Sequence, residues 1–417
     1  MANTFKFGNG NWAVKDGYAL AYNDENNNFK PLPFDFTRAS SATRLNKQGL
    51  IETVGSGKPR IDFTDNTSGH LLLEPSRTNI VFYSEQLDNS VWNKLTNTTV
   101  TANQIVSPDG SQNADEFSAT STSTSLMAVQ DSFSVSSSVD YVISFFAKKG
   151  SVRYVQLFNG TGQVTGNPRT NFDLQDGNVA IQDGGHTSSI EDFGNGWYRC
   201  TTKVTTLSTT LQMYINGVST STASRSATSS WTSGDNFYVW GAQLEQGSYA
   251  TSYIPTEGSS VTRVVDDIEL VLPDVDSFNS SSGFSVIAKF DIGETSGSSS
   301  VPFLFFKDDT SNTYMGFGSN TTNLRCRLNL SGTSYLNTQS NAPRTQRNSL
   351  FISCDSSGWS QGANGSTNHT GTNNASIFNR LASITFITSE TYGIIKISEL
   401  LVYNTRLSNT ELQNLTS

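Results

Sequence analysis

Apolar and polar residues alternate in short runs along most of this chain. Within LQMYING, the apolar residues Leu211, Met213 and Ile215 occupy every second position, and FSVIAKFDI repeats this alternation at residues 284–292. A period of two is typical of a half-buried β-strand. Gly, Asn, Asp and Ser separate the runs, and Asp176-Gly177 lies between two short runs as in a β-hairpin. The pattern predicts antiparallel β-sandwiches.

The last residues follow another pattern. After the strand-like run IKISELLVYN comes RLSNTELQNL, where Ser408 and Glu411 have the spacing of a capping box. Leu407 and Leu412 have the spacing of a hydrophobic staple across the same helix start. We therefore predict an all-β fold class: two antiparallel β-sandwich domains of jelly-roll or lectin-like type, an extended N-terminal region before them, and one short C-terminal helix.

The density of apolar residues divides the chain into three predicted segments. A chain of 417 residues is too long for one compact core. Residues 81–256 and 257–417 are the two predicted sandwiches, joined through the polar stretch YIPTEGSSVTR. Residues 1–80 are rich in turns and poor in apolar residues, so we expect an extended region that attaches to another protein. The apolar side chains expected to make this attachment are Phe5, Phe7, Trp12, Tyr18 and Tyr22.

Charge and hydropathy argue against two classes of partner. The formal net charge is -9, and the Lys and Arg residues are scattered, whereas nucleic-acid binding requires clustered positive charge. No apolar stretch approaches the roughly 20 residues of a membrane span, and the start MANTFKFGNGNW lacks the apolar core of a signal peptide. We expect neither nucleic-acid binding nor membrane insertion, with the protein made in the cytoplasm and left there or released by lysis.

The three cysteines do not form a recognisable reactive pattern. Cys326 alternates in phase with neighbouring leucines, and Cys354 alternates with Leu350 and Ile352, as small core residues do. With Cys200 the chain has three cysteines, so they cannot all be paired in disulfides within one chain. A disulfide between Cys326 and Cys354 would need neighbouring strands, and a reducing compartment disfavours it.

No catalytic constellation is apparent in the sequence. His70, His186 and His369 lie far apart, without metal-ligand spacing or a nearby cysteine. GWSQG at residues 358–362 matches G-x-S-x-G, but the residues after it cannot form the helix of a nucleophile elbow, and a hairpin tip is the expected structure. The E-x-D-x-x-E strand motif of sandwich glucanases is absent. The sequence thus predicts a protein that is not an enzyme, with no catalytic residues.

Two kinds of binding residue remain as candidates. Asp308 and Asp309 are adjacent acids in a predicted loop and are candidate ligands of a calcium ion; no other cofactor is expected. Trp231 and Trp359 lie in polar, turn-rich stretches, where an exposed indole would stack on a sugar ring. For each tryptophan, burial in a core or interface is the alternative.

Several strings in this chain resemble one family. FTRASSATRLNKQGLIETVGSGKPRIDF and the following LLLEPSRTNIVFYSEQLDNSVWNK resemble the opening of many modular structural proteins of tailed bacteriophages, the tail and head fibres among them. GNGWYRCTTKV and YVWGAQLEQGSYATSYIPTEGSSVTRVVD resemble the end of a carbohydrate-binding-module-like sandwich that is common in such proteins. ISELLVYNTRLSNTELQNL resembles the end of a concanavalin A or laminin G type sandwich.

The resemblance implies a structural protein of the virion, assembled in the host cytoplasm. Such proteins are usually oligomeric, often trimeric, contact other virion proteins, and contribute no catalytic residues to carry over. The favoured function is weak, multivalent adhesion to host surface glycans, since many copies multiply a weak single site. A purely architectural decoration protein is the first alternative. A polysaccharide depolymerase is the second, and it requires two acids facing one groove.

Overall fold

The structure is a computed structural model, and it describes residues 4–10, 12–15, 17–20, 22–23, 33–271, 283–292, 302–307, 314–319, 323–330, 333–343, 348–355, 357–372, 383–386, 393–403 and 405–417. Up to residue 134 the strands are β1 (Thr4–Gly8), β2 (Ala13–Lys15), β3 (Tyr18–Leu20), β4 (Tyr22–Asn23), β5 (Pro33–Thr37), β6 (Ala42–Leu45), β7 (Ile51–Val54), β8 (Arg60–Asp62), β9 (His70–Leu73), β10 (Arg77–Asn79), β11 (Asn93–Lys94), β12 (Thr98–Ile105), β13 (Ala114–Ala119), β14 (Ser123–Ser125) and β15 (Met127–Ser134).

The next strands are β16 (Asp140–Lys149), β17 (Tyr154–Asn159), β18 (Arg169–Asp173), β19 (Asn178–Gln182), β20 (His186–Asp192), β21 (Trp197–Thr205), β22 (Thr210–Val218), β23 (Ser229–Trp231), β24 (Asn236–Gln246), β25 (Val261–Arg263) and β26 (Asp267–Val271). The remaining elements are β27 (Phe284–Ile292), β28 (Pro302–Lys307), β29 (Tyr314–Ser319), β30 (Asn323–Leu330), β31 (Thr333–Pro343), β32 (Asn348–Asp355), β33 (Gly358–Ala363), β34 (Ser366–Thr372), β35 (Ser383–Phe386), β36 (Ile395–Tyr403) and the helix α1 (Asn409–Thr416).

The chain forms two compact units. The central unit comprises Gln48–Glu52 and Arg77–Arg263, and the terminal unit comprises Met1–Lys47, Thr53–Ser76 and Val264–Ser417. The sequence divides the chain after residues 80 and 256, whereas the terminal unit combines most of the first 76 residues with those from 264 onward. The physical link is strand pairing within that unit, because β1 and β9 pair with β36, and β5 pairs with β26.

The central unit is a sandwich of two antiparallel sheets, each six-stranded among the described residues. The β22 sheet has the order β11-β15-β22-β17-β18-β19, and the β24 sheet has the order β12-β13-β24-β16-β21-β20. Leu211, Met213 and Ile215 face the core between them, so the alternation predicted for this strand is confirmed. The β24 sheet contributes Phe145 and Leu244 to the same core.

The terminal unit has two large sheets, each nine-stranded in the part of the chain that the structure describes. One contains β34-β33-β32-β27-β36-β1-β4 with β8 and β9, and the other has the order β2-β3-β5-β26-β35-β28-β29-β30-β31. Phe284, Val286, Ala288 and Phe290 of β27 all contribute to the core cluster, as their alternation predicts. The predicted fold class, all-β sandwiches with one short C-terminal helix, is confirmed.

The C-terminal helix begins as the sequence indicates. Ser408 is the N-cap, and the Glu411 backbone N–H donates to its hydroxyl while the Glu411 carboxylate accepts from the Ser408 backbone N–H at 2.8 Å. Leu412 is fully buried in a small cluster with Ile287 and Phe351, and Leu407 packs against that cluster. Capping box and staple therefore fix the helix against β27 and β32.

The predicted hairpin at Asp176-Gly177 is also present, with a longer loop than the sequence indicates. Strand β18 pairs with β19 with Asp173 opposite Asn178, so four residues, Leu174–Gly177, form the connection. The Asp173 carboxylate accepts hydrogen bonds from the backbone N–H groups of Gln175 at 2.9 Å and Asp176 at 3.2 Å. Gly177 has a φ of 64°, which favours glycine.

Four buried charged residues connect distant parts of the terminal unit. Arg38 donates to Asp266 Oδ1 at 2.9 Å, Arg60 donates to Glu74 Oε2 at 2.8 Å, and Arg60 also donates to the second oxygen of Asp266. All four side chains are at most 1% exposed. Burial lowers the pKa of Arg60, but the charges of Asp266 and Glu74 outweigh it and raise that pKa above its usual value. We call these four residues the buried charge network.

In the central unit, residues 249–256 fold back onto the outer face of the β24 sheet, and we call this segment the clip. Glu245 accepts from the Thr251 backbone N–H at 2.8 Å and from the Thr251 hydroxyl at 2.7 Å. Gln243 accepts from the Ile254 N–H at 2.7 Å. Tyr253 packs on Trp240 with ring centroids 4.6 Å apart. The motif GAQLEQGSYATSYIPTEG is therefore a structural element of the sandwich.

The three cysteines are buried and unpaired. Burial raises the pKa of each thiol, that of Cys354 to about 12. Cys326 and Cys354 both belong to the core of the terminal unit, as their alternation predicts. Within the described ranges, no helix is long and apolar enough to cross a membrane.

Candidate functional site

The two tryptophans proposed as glycan contacts lie in cores. Trp231 is 5% exposed, belongs to the central core and donates its Nε1–H to the Ser125 carbonyl at 3.0 Å. Trp359 is 9% exposed, belongs to the terminal core, and packs against Gly371 so closely that a Cβ there would lie 2.5 Å from the indole. This burial is the alternative that the sequence leaves open, so neither indole carries the proposal below.

Most of the predicted calcium-binding and attachment side chains lie outside the part of the chain that the structure describes. Asp308 and Asp309 lie outside the described residues, as do the side chains of Phe5, Phe7, Tyr18 and Tyr22. Trp12 packs against the core of the terminal unit and donates its Nε1–H to the Ser68 carbonyl at 2.8 Å. Among the residues described, no group of three or more His, Cys, Asp or Glu side chains is arranged to hold a metal ion.

The G-x-S-x-G string lies in a strand rather than at the tip of a hairpin. Residues 358–362 belong to β33, where Ser360 is 1% exposed and lies opposite Ser353 of β32. The expected hairpin tip is wrong by a few residues, because the turn comes at Asn364 and Gly365, both with a φ above 45°. The string is followed by strand β34, which leaves no nucleophile elbow at this position.

The outer face of the β22 sheet carries the strongest candidate site. Four residues on neighbouring strands face outward side by side, and we call them the aromatic row: Gln130, Tyr214, Phe158 and Arg169. Phe158 is 3% exposed, whereas the other three are partly exposed. The row follows from alternation in β22, since Met213 and Ile215 on either side of Tyr214 face the core.

A stack of two aromatic rings forms the centre of the row. The rings of Tyr214 and Phe158 are nearly parallel, with an interplanar angle of 9° and centroids 4.4 Å apart. The guanidinium carbon of Arg225 lies 5.2 Å from the Phe158 ring centroid, which is cation–π distance. Phe158 thus supports Tyr214 and Arg225, both of which are partly exposed.

Three buried amides fix the loop that carries Arg225. Gln156, Asn171 and Asn216 lie on the same outer face and are 0% exposed, because residues 219–228 cover them. Gln156 donates to the Ser224 carbonyl at 2.9 Å and accepts from the Ser226 N–H at 2.8 Å. Asn171 donates to the carbonyls of Ser221 at 3.0 Å and Ala223 at 2.9 Å. We call residues 219–228 the covering loop; its backbone is held on both sides of Arg225.

The two arginines at the site differ in their charge balance. Arg169 forms an ion pair with Asp183 and donates its Nε–H to the Ala223 carbonyl at 2.6 Å. Arg225 donates through Nη2 to the Asn159 carbonyl and, at 3.5 Å, to the Thr161 hydroxyl. Within the described part of the chain, Arg225 has no ion-pair partner, so no carboxylate contacts its guanidinium directly.

His186 lies buried beneath this part of the sheet in neutral form. Its Nε2 is 2.9 Å from Asn159 Oδ1, and its Nδ1 is 2.9 Å from the Thr170 hydroxyl. The residue is 4% exposed, and burial lowers its pKa to about 4; the Asp183 charge raises this pKa and the Arg225 charge lowers it. Protonation therefore opposes the folded state of the central unit.

The lowered pKa of His186 predicts a loss of stability in acid. Because the unfolded chain takes up this proton near pH 6.5 and the folded chain only near pH 4, stability present above pH 6.5 falls as the pH drops through that window, by about 3 kcal/mol. Burial raises the pKa of Asp115 to about 6, which acts in the opposite sense. The measurement is therefore the stability difference between wild type and His186→Gln, which should shrink from pH 7 to pH 4; a constant difference would contradict the assignment.

The chemistry of the row suits a flat, polyhydroxylated ligand. A partly exposed aromatic ring offers an apolar face. The amides of Gln130, opposite Tyr214, and of Gln212, two residues before Tyr214 on β22, offer hydrogen-bonding groups. The Gln212 side-chain oxygen already accepts from Gln163 Nε2 at 3.4 Å. Alternation places Tyr214 on the outer face of its strand, but no sequence pattern distinguishes it from the other tyrosines. Arg225 was missed because its position depends on the path of the covering loop, which no periodic pattern reveals.

Comparison with known proteins identifies no family. No family model and no curated protein matches the sequence. Among the solved structures that resemble parts of it, the botulinum neurotoxin serotype D binding domain has a TM-score of 0.30 and 13% identity, over 36% of this chain and 40% of that chain. CBM40 of the Ruminococcus gnavus IT-sialidase has a TM-score of 0.29 and 15% identity, over 35% of this chain and 91% of that chain. Domain 4 of the GH43 arabinanase AbnA from Geobacillus stearothermophilus has a TM-score of 0.29 and 18% identity, over 41% of this chain and 83% of that chain. The chain thus spans less than half the length of that neurotoxin domain. TM-scores this low carry no argument about function.

Proposed function

We propose that the central unit is a glycan-binding module and that Tyr214 forms the platform on which a sugar ring stacks. The observation that carries the proposal is the parallel stack of Tyr214 on Phe158, with Tyr214 partly exposed on the outer face of the sheet. The stack against the buried Phe158 ring restricts the Tyr214 ring, so ordering this side chain costs a bound ligand little free energy. Gln130 and Gln212 flank it with groups that hydrogen-bond to hydroxyls.

Replacing Tyr214 by alanine should abolish or strongly weaken this binding. We expect at least a tenfold loss of affinity, equivalent to about 1.4 kcal/mol, for glycans that the wild-type chain retains on an array of bacterial surface polysaccharides. Tyr238→Ala is the matched control, because Tyr238 is a partly exposed tyrosine on the β24 sheet. Equal binding by wild type and Tyr214→Ala, with both folded by circular dichroism, would reject the platform.

The wider role that we propose is that of a non-enzymatic adhesion protein in the virion of a tailed bacteriophage. Support comes from the sequence strings that resemble phage fibre proteins. Many copies on one particle would multiply weak single-site affinities, and an oligomer would do so within one appendage. Antibodies against this chain should label purified particles in electron microscopy, and incubation with bound polysaccharide should release no new reducing ends. Particles without label would reject the location in the virion. Release of reducing ends would reject the non-enzymatic role.

A further inference from the structure

We propose that the ligand of this site is an acidic saccharide, and that Arg225 binds its carboxylate while Tyr214 binds a sugar ring. This inference rests on the proposed glycan-binding function and specifies its substrate class. Its starting point is the guanidinium of Arg225, which lies beside the platform with no carboxylate partner among the described residues.

The donors of Arg225 are only partly used. Nη2 donates to the Asn159 carbonyl and Thr161 hydroxyl, whereas Nη1 has no acceptor in the described structure and is not enclosed by protein. The Nε of the same group is enclosed and unbonded. A guanidinium with open donors next to an apolar ring is the arrangement that favours a carboxylate oxygen, since charge-assisted hydrogen bonds are roughly twice as strong as neutral ones.

The position of this charge is fixed rather than incidental. Gln156 and Asn171 bond to the covering loop just before and after Arg225, so the loop cannot shift without losing buried hydrogen bonds. The Phe158 ring also contacts the guanidinium at cation–π distance. Both Tyr214 and Arg225 contact this one ring, so the two groups lie within the span of a short oligosaccharide.

Arg169 supports the assignment by contrast. It lies next in the aromatic row, but Asp183 neutralises it and the Ala223 carbonyl accepts its Nε–H. Among the described residues, the site therefore has one arginine with an ion-pair partner and one without. Of the two, Arg225 is the arginine whose guanidinium no carboxylate contacts directly.

The test uses the full chain and an array of acidic saccharides with different backbones, each beside its neutral methyl ester. We expect the bound glycans to be acidic, with at least tenfold weaker binding of the esters. Arg225→Gln should remove the preference for acid over ester, and Arg225→Lys should keep part of it. Arg153→Gln is the control for loss of one positive charge, because Arg153 is already paired with Asp173 and Asp176.

The outcomes separate this inference from the proposed function. Neutral glycans that bind in a Tyr214-dependent way, with Arg225→Gln unchanged, would overturn the acidic ligand and leave the glycan-binding module intact. No binding of any glycan by the folded wild-type chain would overturn both. If Arg225→Gln and Arg153→Gln lost the preference for acid over ester equally, net charge would explain that preference, and the specific role of Arg225 would be overturned.

Discussion

Replacing Asp266 by asparagine is expected to unfold or severely weaken the terminal unit. Asp266 receives hydrogen bonds from both Arg38 and Arg60, and its carboxylate also accepts from the Glu74 backbone N–H at 2.9 Å. In the variant, the network would contain two buried, positively charged guanidinium groups and only one carboxylate, that of Glu74. Breaking a buried ion pair by removing one partner costs about 3–5 kcal/mol.

The neighbouring residue provides a closely matched control. Asp267 is adjacent in sequence, begins β26 and is exposed, so Asp267→Asn makes the same chemical change at the surface. Hydrogen exchange followed by mass spectrometry can assign the loss to one unit, because peptides from 264–417 and from 77–263 report separately. We expect faster hydrogen exchange in the terminal unit of Asp266→Asn, and no such change in Asp267→Asn. Equal behaviour of the two variants would show that the network contributes no net stability.

The buried charge network also marks a limit of sequence analysis. Arg38, Arg60 and Glu74 all lie in the strings that carry the family resemblance, yet the sequence indicates no pairing among them. Arg38 and Asp266 are separated by 228 positions. Periodicity reports which face of its own strand a residue occupies; it contains no information about which distant residue lies opposite. The sequence therefore predicts an extended region here, although β1 pairs with β36 and β5 pairs with β26, both in the second half of the chain.

At the candidate site, too, the sequence predicts the face of a strand on which a residue lies but not its long-range surroundings. Alternation correctly placed Met213 inward and Tyr214 outward, because it depends only on the pleat of one strand. Turn-rich context around Trp231 and Trp359 gave no measure of exposure, and both rings are buried. A bulky apolar ring in a polar stretch is drawn into the core, since its burial outweighs the preference of its neighbours for solvent.

Replacing Glu245 by glutamine should release the clip from the β24 sheet. Glu245 is 0% exposed and accepts from Gln243 Nε2 at 2.8 Å in addition to the two bonds from Thr251. Arg77 Nε lies 3.8 Å from its carboxylate. Glutamine has nearly the same shape but loses the charge and replaces one acceptor by a donor, so we expect the central unit to lose about 2–4 kcal/mol.

The loss of structure should be local before it is global, because the clip is held mainly by hydrogen bonds to the outer face of the β24 sheet. Asn79 donates to the Ile254 carbonyl at 2.9 Å, and the ring of Tyr253 rests on those of Trp240 and Phe146. We expect increased exchange in residues 249–256 and a red-shifted Trp240 emission at denaturant concentrations that leave the core protected. Glu257→Gln, which alters an exposed carboxylate, should change neither. Simultaneous loss of clip and core in Glu245→Gln would instead mean that the clip folds as an inseparable part of the sandwich.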